Sequence, residues 1–268
     1  MDEIIHLGDH WDAQSMVPHK NRVLEINHET SRLFRRAYDY LSMAEKANGV
    51  IESAVRDTGA LDFRGLDDQA TAVAADALGT ETREGYGAAR HLFASAISPA
   101  GLKNHLETLT WGLGRKYLVV GKPGTGRTTL VKKVADMIRS RGFHVEYYHC
   151  CLDPERIDHA IVPELRTGIF NASEPHAIMP DAGDVLVNTG QFVDANRFER
   201  LSGEIQEAED LYSRALGNGL VFMSLAKRTH DELEKYYSPY MDFAAIDARR
   251  ERTLDRILEL GLAGRPEQ

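Results

Sequence analysis

The sequence predicts an α/β fold in which a parallel sheet is layered between helices and helical segments stand at both ends. Three observations carry that prediction. Both ends show helical spacing of apolar residues, the middle alternates β-prone runs with an amphipathic helix, and most of the prolines fall in that middle.

Taken in order, residues 1–56 form a helical segment. From residue 12 there is no glycine until Gly49, and Leu24, Leu33, Phe34, Ala37, Leu41 and Ala44 recur at helical spacing, enough for one or two long helices. Residues 57–87 read as a linker, because Gly, Asp and Ala are mixed there with room for one short helix. Residues 88–195 carry the apolar runs and form the core. In residues 196–268 the helical pattern returns, with Leu201, Ile205, Ala208, Leu211, Tyr212 and Ala215, then Leu225, Leu233, Tyr236 and Tyr237.

Composition narrows the function. The 268 residues are 43% hydrophobic and 27% charged, as in ordinary globular chains. With 32 Lys and Arg against 41 Asp and Glu, the formal net charge is −9, which argues against general nucleic-acid binding. No apolar run approaches the roughly 18 residues of a membrane span. The acidic start MDEIIHLGDHWD has neither a basic segment nor an apolar core, so no export leader is expected. The two cysteines, Cys150 and Cys151, are adjacent and poorly placed to bridge each other, which fits a reducing cytoplasm.

The two helical ends are related. At an ungapped offset of 182 residues, Asp2, Gly8, Asp12 and Ala13 match Asp184, Gly190, Asp194 and Ala195. Glu25, Ser31, Arg32, Ser42, Ala44 and Glu52 match Glu207, Ser213, Arg214, Ser224, Ala226 and Glu234. The second helical tail follows a core and the first does not. The expectation is therefore a tandem protein whose first core is missing, with residues 1–56 as the tail of an upstream copy.

The chemistry is concentrated in one segment. The β-prone run Tyr117–Val120 is followed by Gly121-Lys122-Pro123-Gly124-Thr125-Gly126-Arg127-Thr128-Thr129. Then come a helix with Leu130, Val131, Val134, Met137 and Ile138 on one face and a second β-prone run, His144–His149. Strand, glycine-rich loop, helix, strand is the context of a phosphate-binding loop, so the fold class is a three-layer P-loop NTPase core flanked by helical hairpin segments. Gly121, Gly124 and Gly126 permit a tight turn whose N–H groups surround a polyphosphate, and the helix adds the positive end of its dipole. Thr128 stands at the position of the Mg²⁺-binding hydroxyl. Arg127 replaces the usual lysine, keeping the charge but not the compact ammonium. Without an N-K-x-D tetrad, an adenine nucleotide with Mg²⁺ is expected in preference to a guanine nucleotide. Gly112-Leu113-Gly114 precedes its strand and is no dinucleotide fingerprint.

The run Tyr148-His149-Cys150, Asp153-Pro154, Asp158, Ile161–Leu165, Gly168–Asn171 and Pro175-His176 resembles an uncharacterised bacterial family of tandem P-loop ATPase-like proteins. Ala226-Lys227, His230–Glu234 and Met241-Asp242-Phe243 resemble its second-copy tail, and Phe93, Ala96, Pro99 and Gly101 the entry into its second core. The resemblance implies a P-loop NTPase fold and ATP binding but no substrate. The chain departs from that pattern at Arg127 and at Asn171, which ends the strand where a metal-associated aspartate would stand. Together these imply a degenerate, slow or silent ATPase site.

Other residues have two readings each. Asp153 can orient an attacking water and contact Mg²⁺, or simply cap a turn. Thr128, Asp153 and Asn171 are the candidate metal contacts, and Asp153 and Arg127 the candidate catalytic groups. Cys150, Cys151, His149, His159 and His176 match no structural-zinc spacing. Glu164 reads as a structural carboxylate before a catalytic base, the Lys227–Lys235 face as solvated, and Tyr236, Tyr237 and Tyr240 as packing residues. The leading function is an ATP-binding protein with weak ATPase capacity. A non-catalytic nucleotide-binding regulatory or interaction module and a phosphotransferase on a small molecule are the alternatives. The expected partners are an adenine nucleotide and an upstream P-loop copy or a homo-oligomer, with no membrane.

Overall fold

The computed structural model describes residues 4–173 and 178–263. Asp2 of the repeat and Pro175 and His176 of the resemblance lie outside the described residues. The first elements in chain order are α1 (Ala13–Met16), α2 (Lys20–Asp57), α3 (Phe63–Leu78), β1 (Ala89–Phe93), β2 (Ser95–Ser98), β3 (Gly101–Asn104), α4 (Leu106–Thr110) and β4 (Arg115–Val120). They are followed by α5 (Arg127–Ser140), β5 (Val145–His149), β6 (Ile157–Val162), β7 (Thr167–Asn171), β8 (Val185–Asn188), α6 (Ala195–Arg200), α7 (Ser202–Tyr237) and α8 (Phe243–Ala263). The chain divides into a unit of residues 36–224 and a unit made from its two ends, up to residue 35 and from residue 225.

The larger unit is α/β. Its six-stranded sheet runs β1-β5-β6-β7-β4-β8, and β2 and β3 form a separate hairpin. Alternation along the strands sends side chains to opposite faces. Tyr117, Val119 and Ile169 face a large core with α3 and α5, while Leu118, Tyr148 and Phe170 face a smaller one with Leu106 of α4. Helices on both faces fit a three-layer arrangement.

The sequence pattern predicts a parallel sheet, but the sheet is mixed. β1 with β5, β7 with β4 and β4 with β8 are parallel, but β6 is antiparallel to both its neighbours. Connection length explains the difference. The turn from β5 is closed by Cys150 N–H donating to Arg156 O (3.0 Å), and the next by Arg166 N–H donating to Pro163 O (3.0 Å). Links this short return a strand alongside itself and cannot make a parallel crossover.

The stretch 57–87, read as a linker with room for one short helix, carries α3, which is 16 residues long. Asp62 caps it by accepting from Gly65 N–H (3.0 Å). Leu66, Ala70, Val73 and Ala74 then bury a stripe in the main core. On its flanks, Asp67 pairs with Lys133 of α5, and Asp76 accepts from Tyr117 Oη (2.8 Å) and pairs with Arg115 (2.8 Å). Its small side chains and Gly65 disguise this helix as a connection, but its stripe of Leu66, Ala70, Val73 and Ala74 packs against the core that α5 shares.

The internal repeat extends to element boundaries. α1 and α6 begin at Ala13 and Ala195, and α2 and α7 at Lys20 and Ser202, all 182 residues apart. Asp12 accepts from the N–H groups of Gln14 and Ser15, and Asp194 from those of Asn196 and Arg197. Ala37, Leu41, Ala44 and Ile51 are buried, as are their counterparts Gly219, Met223, Ala226 and Leu233. Gly219 is required by close approach: a Cβ there would stand 2.9 Å from Leu41 Cδ2.

The structure also continues the repeat where identity fades. With the offset shortened to 180, Asp62-Phe63 corresponds to Asp242-Phe243, and α3 to α8. In the larger unit Asp62 N–H donates to Phe192 O and Asp194 N–H to Ala60 O, both at 2.8 Å. In the unit of the chain ends Asp242 N–H donates to His10 O (2.8 Å) and Asp12 N–H to Tyr240 O (2.9 Å). Each unit thus contains one copy of the same reciprocal junction, braced in the second by Trp11 stacked on Tyr237 at 5.5 Å.

The burial of Leu66 predicts that Leu66→Ala costs about 2–5 kcal/mol in denaturant unfolding. A neutral result would mean that residues 57–87 are a loose connection.

Candidate functional site

β4 ends at Val120 and the chain turns through Gly121–Gly126 into α5. Gly124 and Gly126 have φ of 79° and 85°, a region costly for any residue with a Cβ. Space forbids a side chain as well. A Cβ on Gly124 would lie 2.9 Å from Val55 Cγ2 of α2, and one on Gly126 2.7 Å from Leu66 Cδ2 of α3. The loop is tied from within by hydroxyls: Thr125 Oγ1 lies 2.8 Å from Lys122 O and 2.7 Å from Thr189 Oγ1, itself 3.1 Å from Val120 O. Gly121 N–H donates to Ser173 Oγ (3.3 Å).

Gly126 occupies the cap position of α5, and no side chain caps that end. The first-turn amides of a helix have no partners inside it, and the dipole adds partial positive charge there. Gly124, Gly126, Arg127, Thr128 and Thr129 line a cavity of about 90 Å³ closed by Glu52 and Arg56 of α2, Leu61, Phe63 and Arg156. Arg56, Arg127 and Arg156 bring three cations to it. Glu52 is the opposing carboxylate, paired with Arg156 at 2.8 Å.

Behind the cavity runs a buried polar chain. Arg127 Nη1 donates to Asn171 Oδ1 (3.3 Å), and Asn171 Nδ2 donates to Asp158 Oδ1 (3.3 Å). Asn171 and Asp158 are 4% and 3% exposed. Burial, and then the like charge of Arg156, press the Arg127 guanidinium below its usual range, while Asp158 and Glu52 oppose that shift. Asp158 reaches Asn171 because β6 is antiparallel to β7, with His159 opposite Phe170.

The structure brings together Gly124, Gly126, Arg127, Thr128 and Thr129, with Asn171 bonded to Arg127. It does not bring Asp153 to the cavity. That carboxylate accepts from Glu155 N–H (3.1 Å) and caps the β5–β6 turn. Lys122 and Pro123 do not line the cavity either, and Lys122 Nζ lies 5.6 Å from the Phe198 ring. Thr125 is 2% exposed and holds the loop. Glu164 accepts from Arg83 (3.1 Å) and from His144 N–H (3.2 Å), a structural brace. Residues missed by sequence reasoning are Glu52, Arg56, Phe63, Arg156 and Thr189. Only folding places α2 over a loop some 70 residues away, so nothing local marks them.

Among the described residues no group of three or more His, Cys, Asp or Glu is arranged to hold a metal ion. A divalent ion in the cavity would have the Thr128 hydroxyl, phosphate oxygens and water, with Glu52 the one lining carboxylate and already paired with Arg156. The Asn171 oxygen is engaged by Arg127, and the carboxylate bonded to this array is Asp158. Beside it, burial pushes the Cys150 thiol up to about 12, and Cys151 is raised for the same reason. No described helix is long and apolar enough to cross a membrane.

Comparison with family models, with curated proteins and with solved structures finds no match to this chain.

A thiol raised to about 12 carries little thiolate at pH 8. Alkylation of Cys150 by iodoacetamide in the native protein, followed by peptide mass mapping, is expected on the order of a hundredfold slower than for an unperturbed thiol, the greater nucleophilicity of the scarcer thiolate offsetting part of its loss. A free-thiol rate at Cys150 would contradict its burial.

Proposed function

We propose that the end of the loop from Gly124 to Thr129 binds the phosphates of an adenine nucleotide with Mg²⁺, and that any hydrolysis it supports is slow. The observation that carries this reading is the uncapped start of α5 opening, between Gly124 and Thr129, on a cavity faced by Arg56, Arg127 and Arg156. Helix-start amides and converging guanidiniums are the chemistry of polyphosphate recognition. At about 90 Å³ the cavity has room for a phosphate group, whereas whole-ligand pockets span about 300–1,000 Å³. The nucleoside would lie outside it or displace Glu52 and Phe63. The adenine preference and the resemblance to tandem P-loop ATPase-like proteins belong to this proposal.

In this reading Thr128 contributes its hydroxyl to the metal and Arg127 its charge to phosphate. Asn171 orients Arg127, and Asp158 supplies the negative charge that the amide lacks. Slow turnover follows from the Arg127–Asn171 bond, which holds the guanidinium back toward the strand and engages the amide oxygen that a metal would need. The same bond favours the second reading, a nucleotide-binding module without catalysis.

Calorimetry with ATP, GTP and pyrophosphate, with and without Mg²⁺, tests the proposal. ATP and pyrophosphate are expected to bind, and the absence of heat from all three would end it. Magnesium-dependent phosphate release lost in Thr128→Ala would mark the enzyme. Arg127→Lys with Asn171→Asp is then expected to raise turnover at least tenfold. No change would contradict the roles given to those positions. Because Glu52 is the carboxylate facing the cavity, Glu52→Gln is expected to tighten pyrophosphate binding several-fold at low salt.

A further inference from the structure

A second cavity opens on the same edge of the sheet as the glycine loop. β1, β5, β7 and β4 all run in one direction, so their carboxyl ends share that edge. Beyond it the chains of β1 and β5 part. β1 leads into the β2–β3 hairpin, whose base is closed by His105 N–H donating to Ala94 O (3.0 Å), and β5 leads into the turn closed by Cys150 N–H. Between hairpin and turn, against α2 and α7, lies a cavity of about 610 Å³. Every residue that lines it belongs to the unit of residues 36–224. Ligands of open α/β sheets sit in crevices beyond the carboxyl ends of strands, and whole-ligand pockets span about 300–1,000 Å³.

The lining defines what fits. Leu41 of α2, Met223 of α7, Ile97 and Leu152 supply apolar walls. Tyr38 and Phe93 line the cavity too and are each 59% exposed, two large rings that the chain leaves uncovered. The buried Ser95 hydroxyl faces the Cys151 thiol, and both are neutral polar groups. α2 and α7 are locked together here, by Leu41 against Gly219 and by Tyr40 stacked on Phe222 at 5.6 Å, so the cleft is preformed.

Glu45 is the one charged residue among the described lining residues, which include no Lys, Arg or His. Its carboxylate is half-buried and pairs with no group among the described residues. Tyr38, Leu41, Ser42 and Glu45 follow the spacing of one helix face, and Glu52 of the loop cavity stands on that face two turns further, about 10 Å along the axis. At Glu52 three guanidiniums outnumber a carboxylate, whereas at Glu45 a carboxylate lacks a cation. The electrostatic preference is therefore reversed between the two cavities, and the rings of Tyr38 and Phe93 reinforce a preference for positive charge.

We infer that this cleft binds a small organic cation, a protonated amine on an aromatic body, with the ammonium at Glu45 and the body against Tyr38, Phe93 and Leu152. The inference is independent of nucleotide binding and needs no occupant at the glycine loop.

Two probes with the same body and opposite charge test it: tryptamine and indole-3-propionate, titrated into the nucleotide-free chain by calorimetry and followed by amide NMR. At about 150 mM salt, where attraction between distant surface charges is largely screened, tryptamine is expected to bind saturably and at least tenfold tighter than indole-3-propionate. Its shifts are expected to centre on Ser95, Ala96, Cys151 and Leu152. Glu45→Gln is expected to remove the preference between the probes. Ala96→Trp, which puts a ring into the cleft, is expected to abolish tryptamine binding with the melting temperature kept; if that variant loses its fold, Glu45→Gln decides. Equal affinity for the two probes, or no saturable binding of tryptamine, overturns the inference. So does a preference that survives in Glu45→Gln, which would be general attraction to a chain of net charge −9. None of these results bears on the phosphate proposal, since no nucleotide is present.

Discussion

Two missing side chains organise the candidate site. Because Gly124 and Gly126 carry no Cβ, Val55 of α2 and Leu66 of α3 close directly on the loop that joins β4 to α5. The same residues hold the positive φ that turns the loop back toward the helix start. Packing and loop geometry therefore depend on one pair of positions. A methyl group at either would have to move a core helix as well as strain the backbone. The consequence for chemistry is that the helix start faces a narrow cavity roofed by Glu52, Arg56 and Phe63 instead of open solvent. A roof of this kind limits what enters to phosphate-sized groups unless α2 gives way.

Inside that enclosure the charges are unevenly matched. Three guanidiniums meet one carboxylate at the cavity, and the buried chain from Arg127 through Asn171 to Asp158 places a further carboxylate one strand away. An amide between a cation and an anion can bond to both while carrying no charge. Asn171 can thus hold Arg127 in place where an aspartate would compete for it as a salt bridge. This accounts for how two departures from the common phosphate-loop pattern sit together in one structure.

Much of this was legible in the residues. The spacing of Leu24, Leu33, Ala37 and Leu41 marked α2, that of Ile205, Ala208 and Ala215 marked α7, and the run from Tyr117 to His149 marked strand, loop, helix and strand. The ungapped offset was visible too, and element starts coincide with it. α3 read as no more than one short helix because half of its buried stripe is alanine and its first turns hold Gly65 and two aspartates. The direction of β6 was hidden because alternation encodes which face a residue takes, not which way the strand runs. Asp153 drew attention by standing at the end of a strand, where turn capping and catalysis want the same residue type. The partnership of Asp158 with Asn171 required that antiparallel register, which no local pattern announces.

The central claim is that the amides at the start of α5 receive phosphate. Amide NMR shifts recorded while Mg-ATP is added test it most directly. The account predicts saturable shifts concentrated at Gly124, Gly126, Arg127 and Thr128. Saturation with those four amides unmoved, or shifts confined to scattered surface lysines and arginines, would contradict it.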